Sequence, residues 1–144
     1  MTARREQILQ RILVLGQAVS GINTAVRNVV DISDVSLPAF QLFDGNEDAV
    51  ESDPMNRPTN APRRVRMVPE MLITVGDQPD TVGTTMNDLS DNFLVALHND
   101  ETLRGLTLNG KGLRYHGCDT GLTRGRTMNQ TMTLRLEFTY DRTF

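Results

Sequence analysis

The residues best suited to chemistry in this chain are His116, Cys118 and Asp119, which lie close together in sequence. A thiol beside an imidazole can serve as nucleophile and base, and the same three groups are possible metal donors. Residues two apart on a regular strand share a face, so His116 and Cys118 are expected on one side of theirs. Against catalysis, the sequence offers no acid to orient the imidazole. The second histidine, His98, completes neither a His-x-x-x-His nor a Cys-x-x-Cys spacing. The glycine-bearing stretches 105–112 and 117–125 match neither a P-loop nor a dinucleotide fingerprint. Carboxylates concentrate at Asp44, Glu47, Asp48, Glu51 and Asp53, in a stretch that reads mostly as loop, where burial cannot tune a pKa. The expectation is a protein that is not an enzyme, with no catalytic, cofactor-binding or metal residues and no cofactor.

Composition narrows the class further. At 144 residues the chain is long enough for one domain with a sizeable core. Its hydrophobic fraction of 38% and charged fraction of 23% are ordinary for a globular protein. A net charge of −3 and the lack of tryptophan argue against a general nucleic-acid binder that stacks bases. No apolar run is long enough to span a bilayer, and 8–15 is interrupted by Gln10 and Arg11, so no leader segment is expected. A single cysteine precludes an internal disulfide framework and fits a reducing cytosol. Asn129-Gln130-Thr131 matches a glycosylation acceptor but has no secretory context. Of 15 basic residues only Lys111 is lysine. That bias suits planar, bidentate interface contacts, or reflects GC-rich coding.

The elements that must position these groups are organised around 128–140. Met128, Gln130, Met132, Leu134, Leu136, Phe138 and Tyr140 alternate with Asn129, Thr131, Thr133, Arg135, Glu137 and Thr139. Only a strand separates those two sets, so 128–140 reads as a long strand covered on one face. Upstream, Ile8, Leu9, Ile12, Leu13 and Val19 predict a helix over 2–19, with Thr2 as N-cap and Gly21 as its stop. Valines and Ile32 favour a strand within 22–32, followed by a turn at 33–36. A short strand is expected at 39–43, closed by Asp44-Gly45. The stretch 45–64 has no periodicity, three prolines, an acidic first half and a basic second half. A loop of that length is usually functional or disordered. A strand follows over 65–75, bent or at an edge because Pro69 lacks an N–H. Val82, Met86, Leu89, Phe93, Ala96 and Leu97 predict a second helix over 81–98, with a further helical turn within 99–106. Asn109-Gly110 marks a turn, 112–118 a short strand, and 119–126 a glycine-rich basic loop. The fold class is therefore α+β. A single, mostly antiparallel or mixed sheet of about five strands carries two amphipathic helices packed on one face. It forms a single domain, 1–144, with a long flexible loop at about 45–64.

A family resemblance rests on this ordering. The pieces are Arg4-Arg5-Glu6-Gln7-Ile8-Leu9 in the first helix, Val26-Arg27-Asn28, and Leu37-Pro38-Ala39-Phe40 running to Asp44-Gly45. The polar loop, Met67-Val68-Pro69-Glu70, Asn99-Asp100-Glu101-Thr102-Leu103 and the long final strand complete it. In these the chain resembles the tail terminators (minor tail or tail completion proteins) of long-tailed bacteriophages. The likeness covers most of the chain as an order of elements, not as a specific motif. It implies a virion structural protein that forms a homo-oligomeric, hexameric ring, caps the tail tube, ends tube polymerisation and offers its other face to the head or neck. The implied partners are the tail tube protein and a head–tail connector or neck protein. No membrane and no sequence-specific nucleic acid are implied, although DNA would pass through the ring. The implied location is the virion tail or neck, and the host cytoplasm during assembly. Tube or subunit interface candidates are Arg57, Arg63 and Arg64 in the long loop, and Arg124 and Arg126 in the second loop. The alternatives are another head–tail connector or stopper, a small cysteine-dependent enzyme using Cys118 and His116, and a host-encoded binding module.

Overall fold

A computed structural model describes residues 2–32, 36–53, 55–78, 80–123 and 128–144. The chain runs α1 (Arg4–Ala18), β1 (Thr24–Arg27), β2 (Ala39–Ala49), β3 (Arg63–Asp77), α2 (Val82–Asn99), α3 (Glu101–Leu106), a 3-10 turn (Leu108–Gly110), β4 (Leu113–Thr123) and β5 (Met128–Arg142). The strands form one five-stranded sheet in the order β1-β2-β3-β5-β4. β1 runs parallel to β2, and every other neighbouring pair is antiparallel. This is the expected α+β arrangement, with the two longest strands, β3 and β5, side by side.

The period-two pattern dictates which face is dry. Met132, Leu134, Leu136, Phe138 and Tyr140 of β5 are buried, as are Val65, Met67, Pro69, Met71, Ile73 and Val75 of β3. Burying the five β5 side chains contributes on the order of 10 kcal/mol as an upper bound. The helices cover that face. From α1, Ile8, Leu9 and Ile12 enter the core, joined by Val82, Met86, Leu89, Phe93 and Leu97 of α2. Phe40 of β2 meets Phe93 at a ring separation of 4.9 Å. Gly16 is required beneath that pair, because a Cβ there would run into the Phe40 ring. The opposite face is wet: Arg64, Arg66, Val68 and Glu70 are exposed along it.

Several boundaries differ from expectation, each for a local reason. α1 starts after Ala3, not Thr2, and no side chain caps it. Its first-turn carboxylate, Glu6, is engaged by Arg27 instead. The strand expected within 22–32 is only four residues long, because Asn28 turns the chain at a φ of 57°. Past that turn, Gln41 of β2 donates to the carbonyls of Val29 and Val30. The turn expected at 33–36 lies largely outside the described residues. Asp44-Gly45 does not end β2. Gly45, at a φ of 70°, forms a bulge against Val68 and Pro69 of β3, and pairing resumes at Asn46↔Val68. β2 and β3 thereby take both ends of the stretch 45–64, leaving 50–62 as the hairpin connection. Pro69 is not at an edge: β3 lies between β2 and β5, and the β5 ladder lapses at Val68 and Pro69, between Met67↔Phe138 and Glu70↔Arg135, where the N–H is missing.

The helical turn expected in 99–106 is α3. The carboxylate of Asp100 accepts the Leu103 N–H at 2.8 Å and caps it. The same carboxylate accepts both the Nε and Nη2 of Arg11, at 2.8 and 2.6 Å, which ties α1 to α3.

Candidate assembly interface

The three chemistry-bearing neighbours on β4 are separated by a bulge. Pairing with β5 runs Leu113↔Phe138, Arg114↔Glu137 and Tyr115↔Leu136, then resumes at Gly117↔Arg135 and Cys118↔Leu134. His116 is the extra residue, and Gly117 takes a φ of 133°. One extra residue reverses the facing of everything after it. Cys118 therefore lies on the helix side, in register with buried Leu134, and its thiol beside Tyr115 holds the Tyr115 hydroxyl above its ordinary pKa. His116 lies with the wet face, where its Nε2 is 2.7 Å from Glu137 Oε2. Asp119 meets Arg135 at 3.2 Å. The expectation that His116 and Cys118 share a face is overturned by this bulge. The acid that sequence reading did not find is Glu137, on the next strand, and it holds the histidine away from the thiol. Among the described residues no three His, Cys, Asp or Glu side chains gather as a metal site.

The arginines of the 50–62 end have different duties. Arg63 is folded back into its own hairpin. Its Nε is 2.7 Å from Asp53, and its guanidinium donates to the carbonyls of Ala61 and Pro58. Arg57 and Arg64 hold looser ion pairs, at 3.9 Å to Asp53 and 3.6 Å to Asp141, and keep exposed heads. With Ala49, Ser52 and Pro62 these residues line a cleft of about 550 Å³. Phe144, 68% exposed, lies 5.9 Å from both Arg63 and Arg142. Met55, in the connection itself, is fully exposed. Exposed methionine, aromatic and arginine side chains at one end are the composition of a protein-binding surface.

Arg124 and Arg126 lie outside the described residues. The strands leading to them are described: Asn129 pairs with Gly76 and with Thr123, at the far end of β3 from Arg63. At ~3.3 Å per residue the 15 residues of β3 separate its two ends by roughly 45 Å. The 50–62 connection and the paired ends of β4 and β5, at Thr123 and Asn129, therefore stand at opposite ends of the sheet.

Sequence reading missed two polar clusters. Arg27 donates to both oxygens of Glu6 and both of Asp44, at 2.7 to 2.9 Å. These hydrogen bonds hold both carboxylates below their ordinary pKa values and raise that of Arg27. The only signal was a lone arginine after Ala25-Val26. Nearby, Glu47 accepts from Tyr140 Oη and from Arg142. Burial first, and that bond second, push the Tyr140 hydroxyl up. Among the described residues no helix is long and apolar enough to cross a membrane. No family model matches the chain, and no curated protein sequence matches it.

Proposed function

We propose that the chain is a tail terminator of a long-tailed phage: a subunit that closes into a six-membered ring, caps the tail tube and presents its other side to the head or neck. The observation that carries this reading is the 50–62 end of the sheet, where half-exposed Arg57 and Arg64 line an open cleft, Met55 stands exposed in the connection and Phe144 is exposed beside Arg63. A subunit that must bridge two partners along an axis needs two separated binding ends, and the two ends of β3 lie roughly 45 Å apart. Weak contacts suffice in such a ring, because six copies engage together. The dispersal of His116, Cys118 and Asp119 over two faces disfavours the cysteine-dependent alternative.

Arg57 and Arg64 are the residues to test, because Arg63 holds its own hairpin together. The Arg57→Glu/Arg64→Glu variant is expected to keep the circular dichroism of the parent and to lose tube capping, so that tubes grown in its presence run past their normal length. Tubes of normal length with that variant would sink the assignment of this end to the tube. Binding of the parent protein to head connectors but not to tubes would favour the stopper alternative.

A further inference from the structure

We propose that the free edge of β4 is a homotypic docking edge, which pairs antiparallel with β4 of a second copy so that Arg114 of each lies opposite Asp119 of the other.

β4 ends the strand order, and among the described residues it pairs only with β5. The other edge, β1, is protected by being four residues long, whereas β4 runs for eleven. From Arg114 to Leu122 every residue but the half-buried Gly117 is exposed. Tyr115 and Leu122, apolar side chains on the helix side, are 48% and 47% exposed. A long open edge with apolar groups beside it is a template for another strand.

The bulge decides the register. In a regular strand, self-pairing matches faces only where the two residue numbers sum to an even value, because opposite residues must share a face. The extra residue at His116 reverses that rule across the middle of β4, so odd sums match faces on both sides of it. A sum of 233 puts the two-fold axis between His116 and Gly117. It sets Arg114 opposite Asp119 on the wet face, and Tyr115 opposite Cys118 on the helix face. Leu113 then falls opposite Thr120, again on the helix face. Slipping two positions either way leaves Arg114 facing Gly117 or Gly121. Among the described residues Arg114 has no ion pair of its own, and Asp119 shares its carboxylate only with Arg135 at the surface. The two-fold therefore creates two new opposite-charge pairs and no like-charge pair at those positions. Such an isologous contact closes at two copies, unlike the two-patch contact of a ring, and does not depend on the tail reading.

Cross-linking the full chain tests the register. Directly opposite residues on antiparallel strands have Cα atoms roughly 4.5 to 5.5 Å apart, within disulfide reach. Arg114→Cys and Asp119→Cys, each in a Cys118→Ser background, should give a disulfide-linked dimer when mixed and oxidised, and far less when either is oxidised alone. In sedimentation, the parent should dimerise with rising concentration. Arg114→Asp should weaken that dimer about tenfold, and Arg114→Asp/Asp119→Arg should restore it. A parent that stays monomeric at ~1 mM, or a mixture that cross-links no better than its components, overturns the proposal. Loss of the cross-link in a protein that still caps tubes overturns this inference and leaves the tail reading standing.

Discussion

Arg27 shows how much one side chain can organise. Its planar guanidinium grips Glu6 of α1 and Asp44 of β2 at once, so the first helix is pinned to the sheet edge by a residue of the shortest strand. The network is partly exposed, with 22% of the Arg27 side chain accessible, so its worth lies between that of a surface pair and a buried one. Arg27→Ala should lower stability near neutral pH by about 2 kcal/mol, read from urea midpoints. The pH dependence follows from the direction of the shifts. Glu6 and Asp44 lie below their ordinary values of 4.5 and 3.8, chiefly because of the Arg27 hydrogen bonds. The unfolded chain takes up those protons first as pH falls. Their stabilisation is therefore complete above about pH 5 and is lost on acidification through the folded values. Arg27→Ala should flatten that acid decline; an unchanged slope would mean that the network contributes nothing to folding.

At the scale of elements, the two bulges do most of what the alternation could not foretell. Period-two spacing identified β3 and β5 and their dry faces, because each side chain reports its own facing. A bulge is decided by the partner strand, so Asp44-Gly45 read as a strand end and His116 as a regular strand position. In the fold, Gly45 sits where any Cβ would strike the Val68 carbonyl, at a φ that side chains disfavour. Gly45→Ala should cost more than ~2 kcal/mol, measurable as a drop in melting temperature. Retention of the parent melting temperature would show that β2 can continue past Phe43 without this bulge. The N-cap of α3 was similarly hidden. Asp100 was legible as a polar residue between helices, but its bond to Arg11 joins positions 89 apart in sequence.

At the scale of the whole molecule, the sheet has a covered face, a wet face and two well-separated ends. The chemistry-bearing residues are spread among them. If the protein acts by assembly, Cys118→Ser should leave stability within about 0.5 kcal/mol of the parent and leave tube capping intact. Loss of either would return attention to the thiol. The candidate arginines divide along the same lines. Arg57 and Arg64 face outward from one end, while Arg63 is consumed by Asp53, Ala61 and Pro58. The alternation of 65–75, extended back two residues, puts Arg63 on the dry face and Arg64 on the wet one; what it does not foretell is how the connection folds back to meet Arg63.

What the sequence determined by itself was therefore whatever is written in local periodicity. It marked the two amphipathic helices, the long alternating strand at 128–140, the apolar face of 65–75 and the α+β class, because hydrophobic spacing obliges each element to bury one side. Only the tertiary structure decided which strands are neighbours. Pairing between residues far apart in sequence placed β4 at an open edge and β3 in the interior despite Pro69. It also set His116 on Glu137 instead of Cys118, and placed the 50–62 connection at the far end of the sheet from the paired ends of β4 and β5.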